Sequence, residues 1–255
     1  MTEPYSSVGD VASEVFANGF AVMDRYLDAA TVEHLVAVFE RDECQRALND
    51  RAGGNSAGPG QSVRSRRGSV FAARNILELK FVRAFAGMPK VRDLVEVICP
   101  GAVAVRGILF DKTGLANWTV PWHQDRSIAV KSRVEAAGYG PWSVKAGITH
   151  VQPPTEVLQR MITLRFALDA CGADNGPLRV IPGTHATLLT QEQIEAIVAE
   201  RPQVACVSKA GGVVMMRPMI LHASSPAAAP SHRRVLHLEF GPKTLHHGME
   251  WAFAD

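Results

Sequence analysis

Four apolar, strand-like runs after residue 101, separated by Gly, Pro or Asn turns, most limit what the chain can fold into. They cover residues 102–110, 160–168, 212–216 and 234–240. Short runs rich in β-branched and aromatic side chains between turn residues read as strands. The first hundred residues read differently. Apolar residues recur at helical spacing over 8–18, over 29–48 with Leu35, Val36, Val38 and Phe39, over 77–85, and over 90–98 up to Cys99-Pro100-Gly101. A short strand at 19–23 separates the first two helices. Helices first and short strands after predict a mainly β fold with flanking helices. The helices pack on one side of an antiparallel double-stranded β-helix, the cupin-like jelly roll. We read residues 1–255 as a single domain, helix-rich over 1–100 with a jelly-roll core over about 101–245; no internal repeat is visible.

With 255 residues, 47% hydrophobic and 20% charged, the composition is that of a soluble globular protein. A formal net charge of +2 is too small to suggest nucleic acid or an anionic membrane as a partner, and the basic cluster Arg64-Ser65-Arg66-Arg67 is short enough to be a solvated loop. The first residues lack the basic-then-apolar pattern of a secretion signal, and no apolar run is long enough to span a bilayer. Cys44, Cys99, Cys171 and Cys206 form no C-x-x-C pair, which suits reduced thiols in a cytoplasm. Residues 49–68 are rich in Gly, Ser, Asn and Arg; a segment of this length is either a lid over a pocket or a solvated excursion.

The chemistry-bearing feature is Trp122-His123-Gln124-Asp125. Side chains on a strand alternate faces, so His123 and Asp125 point the same way. One imidazole and one carboxylate can then reach a single cation. With a second histidine the set becomes the 2-His-1-carboxylate triad, which holds Fe(II) and leaves positions open for oxygen and substrate. Chance alone supplies about 0.4 His-x-Asp pairs in such a chain, and a surface pair that merely hydrogen-bonds looks the same. Trp118 and Trp122 lead into the pair and would wall a dry pocket. The candidate partner is His222, at the end of the apolar run 213–221 and before the polar turn Ala223-Ser224-Ser225-Pro226; a satisfied core histidine would share that setting. Next, His232-Arg233-Arg234 opens a run expected to pair antiparallel with the His222 strand. Two guanidinium groups at the start of an apolar strand are costly unless one meets an anion. A dicarboxylate that chelates iron at one end needs such a fixed cation at the other. Among the other histidines, His185 lies in a turn placed to shape the pocket and His150 in an irregular stretch where it could touch substrate. His34, His237, His246 and His247 read as structural or solvated.

These residues resemble the phytanoyl-CoA dioxygenase family of Fe(II)/2-oxoglutarate-dependent oxygenases. The likeness rests on His123-Gln124-Asp125, on the stretch from Asn175-Gly176-Pro177-Leu178 to Pro182-Gly183-Thr184-His185, and on His222-Ala223-Ser224 followed by Arg233. In that family eleven positions separate the distal histidine from the cosubstrate arginine, the spacing from His222 to Arg233 here. The early Asn18–Val22 segment also looks like the family's N-terminus, so the likeness covers nearly the whole chain. It implies His123, Asp125 and His222 as iron ligands, with Arg233 pairing with the distal carboxylate of 2-oxoglutarate and Ser224 bonding the same group. Lys112 matches a family lysine near the pocket. Thr163 and Arg165, which share a strand face, are further cosubstrate or pocket candidates. Two departures stand out: Gly211-Gly212 replaces the family's frequent Gly-Asp, and Arg165 stands where some relatives carry Trp.

The activity so implied is that of a dioxygenase consuming O2 and 2-oxoglutarate, releasing succinate and CO2, and hydroxylating an unactivated C–H bond of a small molecule. Halogenating relatives replace the carboxylate ligand with a small residue, so Asp125 points to hydroxylation, desaturation or ring formation. Residues 126–159, with Trp142, Lys145 and His150, are expected to cover the pocket mouth with Trp122, Gln124 and Arg165 lining it. Two other readings remain: a non-catalytic jelly-roll protein that binds a small anion, and a cupin-like metal-dependent hydrolase or isomerase with no need of 2-oxoglutarate.

Overall fold

A computed structural model of the chain describes residues 7–52, 72–113, 117–145, 147–228 and 232–254. In chain order the elements are α1 (Val8–Asn18), β1 (Phe20–Met23), α2 (Ala29–Glu40), α3 (Asp42–Ala52), β2 (Ala72–Arg74), a 3-10 turn (Ile76–Glu78), α4 (Lys80–Ala86), α5 (Pro89–Ile98) and β3 (Val103–Lys112). They continue with β4 (Val120–His123), β5 (Ile128–Val130), β6 (Trp142–Lys145), β7 (Ile148–Val151), α6 (Thr155–Gln159), β8 (Ile162–Ala167) and β9 (Leu178–Ile181). The last are α7 (Gln191–Glu200), β10 (Val204–Cys206), β11 (Val213–Met216), β12 (Leu221–Ser224) and β13 (Arg233–Gly241). The helix expected over 29–48 is broken at Arg41, whose extended ψ of 139° ends α2.

The strands form the two facing sheets of a jelly roll. The major sheet has the order β1-β11-β8-β13-β3-β2 and the minor sheet β10-β9-β12-β4. A third sheet, β5-β7-β6, is inserted between Asp125 and β8. All the pairings are antiparallel.

Strand alternation divides the major sheet into two chemically different faces. Leu236, Leu238 and Phe240 of β13, with Leu164 and Phe166 of β8, join the helices in the main core, and each of the five is fully buried. Phe85 of α4 meets Phe166 edge-on, ring centroids 5.1 Å apart. Each such side chain contributes about 1.5–3 kcal/mol by leaving water, which anchors the N-terminal helices to the sheet. The alternate positions, Arg233, Val235, His237 and Glu239, face the barrel interior.

Several expectations are corrected. The run at 213–221 is two strands in two sheets: β11 belongs to the major sheet, the chain turns at Arg217-Pro218, and β12 enters the minor sheet. The strand that opens at Arg233 therefore does not pair with the His222 strand. It pairs with β3 and β8, while β12 pairs with β9 and β4. Much of 126–159 is the third sheet plus α6, so His150 stands on a strand, not in an irregular stretch. Residues 53–68 of the expected lid, with the basic cluster Arg64-Ser65-Arg66-Arg67, lie outside the described residues. Among the described residues no helix is long and apolar enough to cross a membrane.

Candidate metal centre

β4 and β12 are neighbours in the minor sheet, and His123 and His222 are directly opposed across them. Opposed residues share a face, and here the ring centroids are 4.2 Å apart. β4 ends at His123. The Asp125 backbone N–H then donates to the Pro218 carbonyl (2.9 Å), which holds the carboxylate beside both rings. Asp125 Oδ1 lies 3.8 Å from His123 Nε2 and Oδ2 lies 3.7 Å from His222 Nε2. These separations are too long for hydrogen bonds, and one donor atom from each residue falls within 4.8 Å of the others.

The tautomers are set from behind. His123 Nδ1 is 2.8 Å from the Pro121 carbonyl and His222 Nδ1 is 2.9 Å from that of Ile220. A carbonyl only accepts, so each Nδ1 carries the proton and each Nε2 lone pair is turned to the shared point. Burial pushes the His222 imidazole down to about 4, against the pull of Asp125, which keeps it neutral as a ligand. Burial acts to raise the Asp125 carboxyl, but interaction with the neighbouring His222 and His123, and with His237 and Arg106 beyond them, outweighs it and holds it below the usual carboxylate range. The site is open on one side: the side chains of His123 and Asp125 are 38% and 34% exposed, that of His222 only 5%. Two neutral imidazoles, one carboxylate and an open face fit a divalent cation such as Fe(II).

Across the barrel, the major sheet supplies cations. Arg233 and Lys112 are opposed on β13 and β3 and are almost fully buried. Arg233 donates through Nη1 to the Gly176 carbonyl, and its buried Nε has no partner among the described residues. Lys112 Nζ donates to Ser224 Oγ (3.0 Å) and to the Ser225 carbonyl (2.7 Å), so it clasps the major sheet to the end of β12. Burial first, then Arg233 and Arg165, push the Lys112 ammonium down to about 7. The Asn175-Gly176-Pro177 motif has a definite task here. Gly176 takes a left-handed φ of +57°, and a Cβ on it would lie 2.5 Å from the Ser225 carbonyl oxygen, so only glycine offers its carbonyl to Arg233 in this place. Gly212 is similarly tight: a Cβ there would lie 2.8 Å from the Asp24 carbonyl oxygen, which leaves no room for the family's aspartate.

The register places further polar groups on the same inner wall. Arg165 on β8 stands opposite His237 and bonds its Nδ1 (2.8 Å), and Thr163 stands opposite Glu239. Glu239 Oε1 receives Arg106 and faces His237 Nε2, each at 3.1 Å. Arg74 on β2 is opposed to Ile108, on the same face. Lys145 and His150 share one face of the third sheet, and both are electrostatically linked to Arg106. Sequence reasoning did not place Arg74, Arg106 and Glu239 on this wall; His237, read as structural or solvated, is buried and bonded through both ring nitrogens. The period-2 alternation of β13, polar at 233, 237 and 239 and apolar at 236, 238 and 240, was the available signal.

Other candidate pocket residues point elsewhere. Trp122 lies on the outer face of β4, packed beside Ile194 of α7 and stacked on Arg179 at 5.3 Å. Gln124 is buried and knots three loops together. Its Nε2 donates to the carbonyls of Thr184, Thr187 and Met219, and its Oε1 accepts from Leu189 N. Trp142 packs on the far face of the third sheet with Ile128 and Val151, under Arg133 at 5.5 Å. Trp118, by contrast, covers Lys112 at 5.3 Å. His185 sits against Gly19, at the α1–β1 junction.

A jelly roll with two histidines and a carboxylate at the mouth of one sheet, and a buried arginine on the other, defines the metal-binding double-stranded β-helix class. Within it, the chain belongs to the phytanoyl-CoA dioxygenase (PhyH) family, which it matches over residues 16–235. Among curated proteins no sequence matches. Solved structures share the fold at low identity. AviO1 from Streptomyces viridochromogenes Tue57 is 20% identical with a TM-score of 0.63, covering 93% of this chain and 96% of its own. EctD from S. alaskensis, solved with bound Fe, is 18% identical with a TM-score of 0.65, over 100% of this chain and 82% of its own. SnoK, a non-heme alpha ketoglutarate dependent carbocyclase from nogalamycin biosynthesis, is 13% identical with a TM-score of 0.66, over 99% and 90%.

Proposed function

We propose that the chain is an Fe(II)- and 2-oxoglutarate-dependent dioxygenase that hydroxylates a C–H bond of a small molecule. The carrying observation is the pairing of two histidines, tautomerically fixed with Nε2 free, with Asp125 at 3.7 and 3.8 Å. Bound Fe(II), 2-oxoglutarate and O2 supply the oxidising chemistry, with succinate and CO2 as co-products. His123, Asp125 and His222 would hold the metal. Arg233 and Lys112 would bind the far carboxylate, Ser224 would add a hydroxyl, and the half-buried rings of Trp118 on Lys112 and Phe110 on Arg165 would limit water around them. Asp125, where a halogenase would leave space for halide, favours oxygen transfer. Four buried cysteines, none in a disulfide among the described residues, suit a reducing cytoplasm.

An anaerobic titration of 2-oxoglutarate into the Fe(II)-loaded chain tests this. A metal-to-cosubstrate absorption band is expected, lost in Asp125→Ala and His222→Ala. Metal without the band would favour a cupin-like hydrolase or isomerase, and no metal at all a non-catalytic binding protein. Succinate release by either variant at the wild-type rate would refute the assignment.

A further inference from the structure

The barrel holds a second group of cations that iron and 2-oxoglutarate do not use. Arg106 is opposed to Glu239, and Arg74 is opposed to Ile108, two residues further along the same face of β3. Lys145 approaches from the third sheet, within electrostatic reach of Arg106, Arg74 and Asp125. Glu239 is the carboxylate bonded within this group, and it is already shared by Arg106 and His237. Among the described residues Arg74 has neither a hydrogen-bond nor an ion-pair partner. Lys145 has only the neutral hydroxyl of Ser127, at 2.9 Å. His150, 2% exposed, leaves Nε2 buried without a partner.

Such an arrangement is unfavourable as it stands. Burial and the neighbouring Arg106 push Arg74 down to about 10, and burial with Arg106 and Arg74 lowers Lys145. Unpaired, desolvated like charges persist when an anion completes them. A ferrous ion and a 2-oxoglutarate dianion cancel in formal charge and leave the excess unanswered. Residues 53–71, which lead into β2, contain Arg64, Arg66 and Arg67 but no Asp or Glu, so that segment supplies no internal acid. Arginine at two positions, with lysine beside them, is the donor set for a planar carboxylate or a phosphate.

We propose that the substrate of this enzyme is an acid, and that its carboxylate or phosphate is held by Arg74, Arg106 and Lys145 on the side of Asp125 away from Arg233. This rests on the dioxygenase reading and adds the substrate class to it. The same charge disfavours cationic compounds and gives neutral ones no comparable attraction.

The test uses the anaerobic chain loaded with Fe(II) and 2-oxoglutarate, so that Arg233 is occupied. Methylphosphonate, acetate and neutral acetamide are titrated, and apparent Kd values are taken from the ligand-dependent shift in melting temperature. Both anions are expected to bind and acetamide not to, and the tighter anion identifies the substrate's acid as phosphate or carboxylate. Arg74→Gln and Lys145→Gln should each weaken anion binding at least tenfold while the Kd for 2-oxoglutarate stays within twofold. Without the probe, Arg74→Gln should melt no lower than wild type, since the cation it removes has no partner; a purely structural arginine would lower it. Anion binding equal in wild type and both variants, or equal to that of acetamide, overturns the proposal. A chain that fails to take up 2-oxoglutarate refutes the dioxygenase reading instead, and the two failures are read separately.

Discussion

Arg233 and Lys112 give the sharpest quantitative expectation. Both are buried on the inner wall, 3% and 0% exposed, yet they are bonded differently. Arg233 has one N–H on the Gly176 carbonyl and keeps Nε free. Lys112 has committed two of its three donors to Ser224 and Ser225 and is held near 7. Removing one partner of a buried charge pair costs about 2–5 kcal/mol. Arg233→Gln retains an N–H donor, so the lower part of that range applies. At 1.4 kcal/mol per tenfold, a loss of about 2–3 kcal/mol raises the Kd for 2-oxoglutarate roughly 30- to 150-fold. Lys112→Met removes one available donor from a group that is half neutral at pH 7, worth about 1–1.5 kcal/mol, or roughly tenfold. The two should not add. Arg233 is one of the charges that holds Lys112 down, so in Arg233→Gln the ammonium is more fully charged and its removal should cost more than in wild type. Anaerobic titrations of the four proteins at pH 7, followed at the iron absorption band, provide the cycle. A Kd for Arg233→Gln within threefold of wild type, or strict additivity, would show that the two cations do not face a common carboxylate.

Three further outcomes follow from the same wall and its supports. Binding of the dianion should favour protonated Lys112, so wild-type affinity for 2-oxoglutarate falls between pH 6 and 8.5, while that of Lys112→Met stays flatter over the range. The ligand-free chain obeys the opposite sign. The folded value of about 7 lies below the ordinary lysine value of 10.5, so the unfolded chain binds more protons between them and this lysine makes stability rise with pH; urea unfolding at pH 7 and 9 should show a smaller rise in Lys112→Met, with the variant gaining most at pH 7. Gly176→Ala should lose about 2–4 kcal/mol in urea unfolding, from the left-handed φ and the contact with Ser225, and bind 2-oxoglutarate more weakly; an unchanged midpoint would contradict it. Gln124→Ala should cost about 3 kcal/mol by orphaning the carbonyls of Thr184, Thr187 and Met219, with weaker metal binding because the chain between His123 and Asp125 loosens.

The clustering of His123, Asp125 and His222 was legible because metal chemistry imposes a residue pattern: β4 and β12 bring the two histidines face to face, with Asp125 beside them. The helices were legible too, since Val91, Leu94, Val95 and Ile98 of α5 carry the 3.6-residue period on one buried face. Sheet membership was not. The change of sheet at Arg217-Pro218 had one local sign, a proline inside the run; burial gave none, since β11 and β12 are both buried throughout. With that sign missed, Arg233 was assigned to the wrong neighbour, although the role proposed for it depends only on reaching the barrel interior. The polar wall of Arg74, Arg106 and Glu239 was hidden in three distant segments, which become one surface only through cross-strand register. Gln124 shows the limit of reading proximity in sequence as proximity in function: between two ligand candidates, it points to the opposite side and serves the loops.

The division of labour between the sheets has a mechanical consequence. His123, Asp125 and His222 ride the minor sheet and its edge, whereas Arg233, Lys112 and Arg165 ride the major sheet. On the proposed reading, a cosubstrate held by both sets would be a strut across the barrel, consumed in each turnover. Metal alone would then stiffen one wall, and metal with cosubstrate both, so backbone hydrogen exchange in β12 and β13 should slow together only when both ligands are bound.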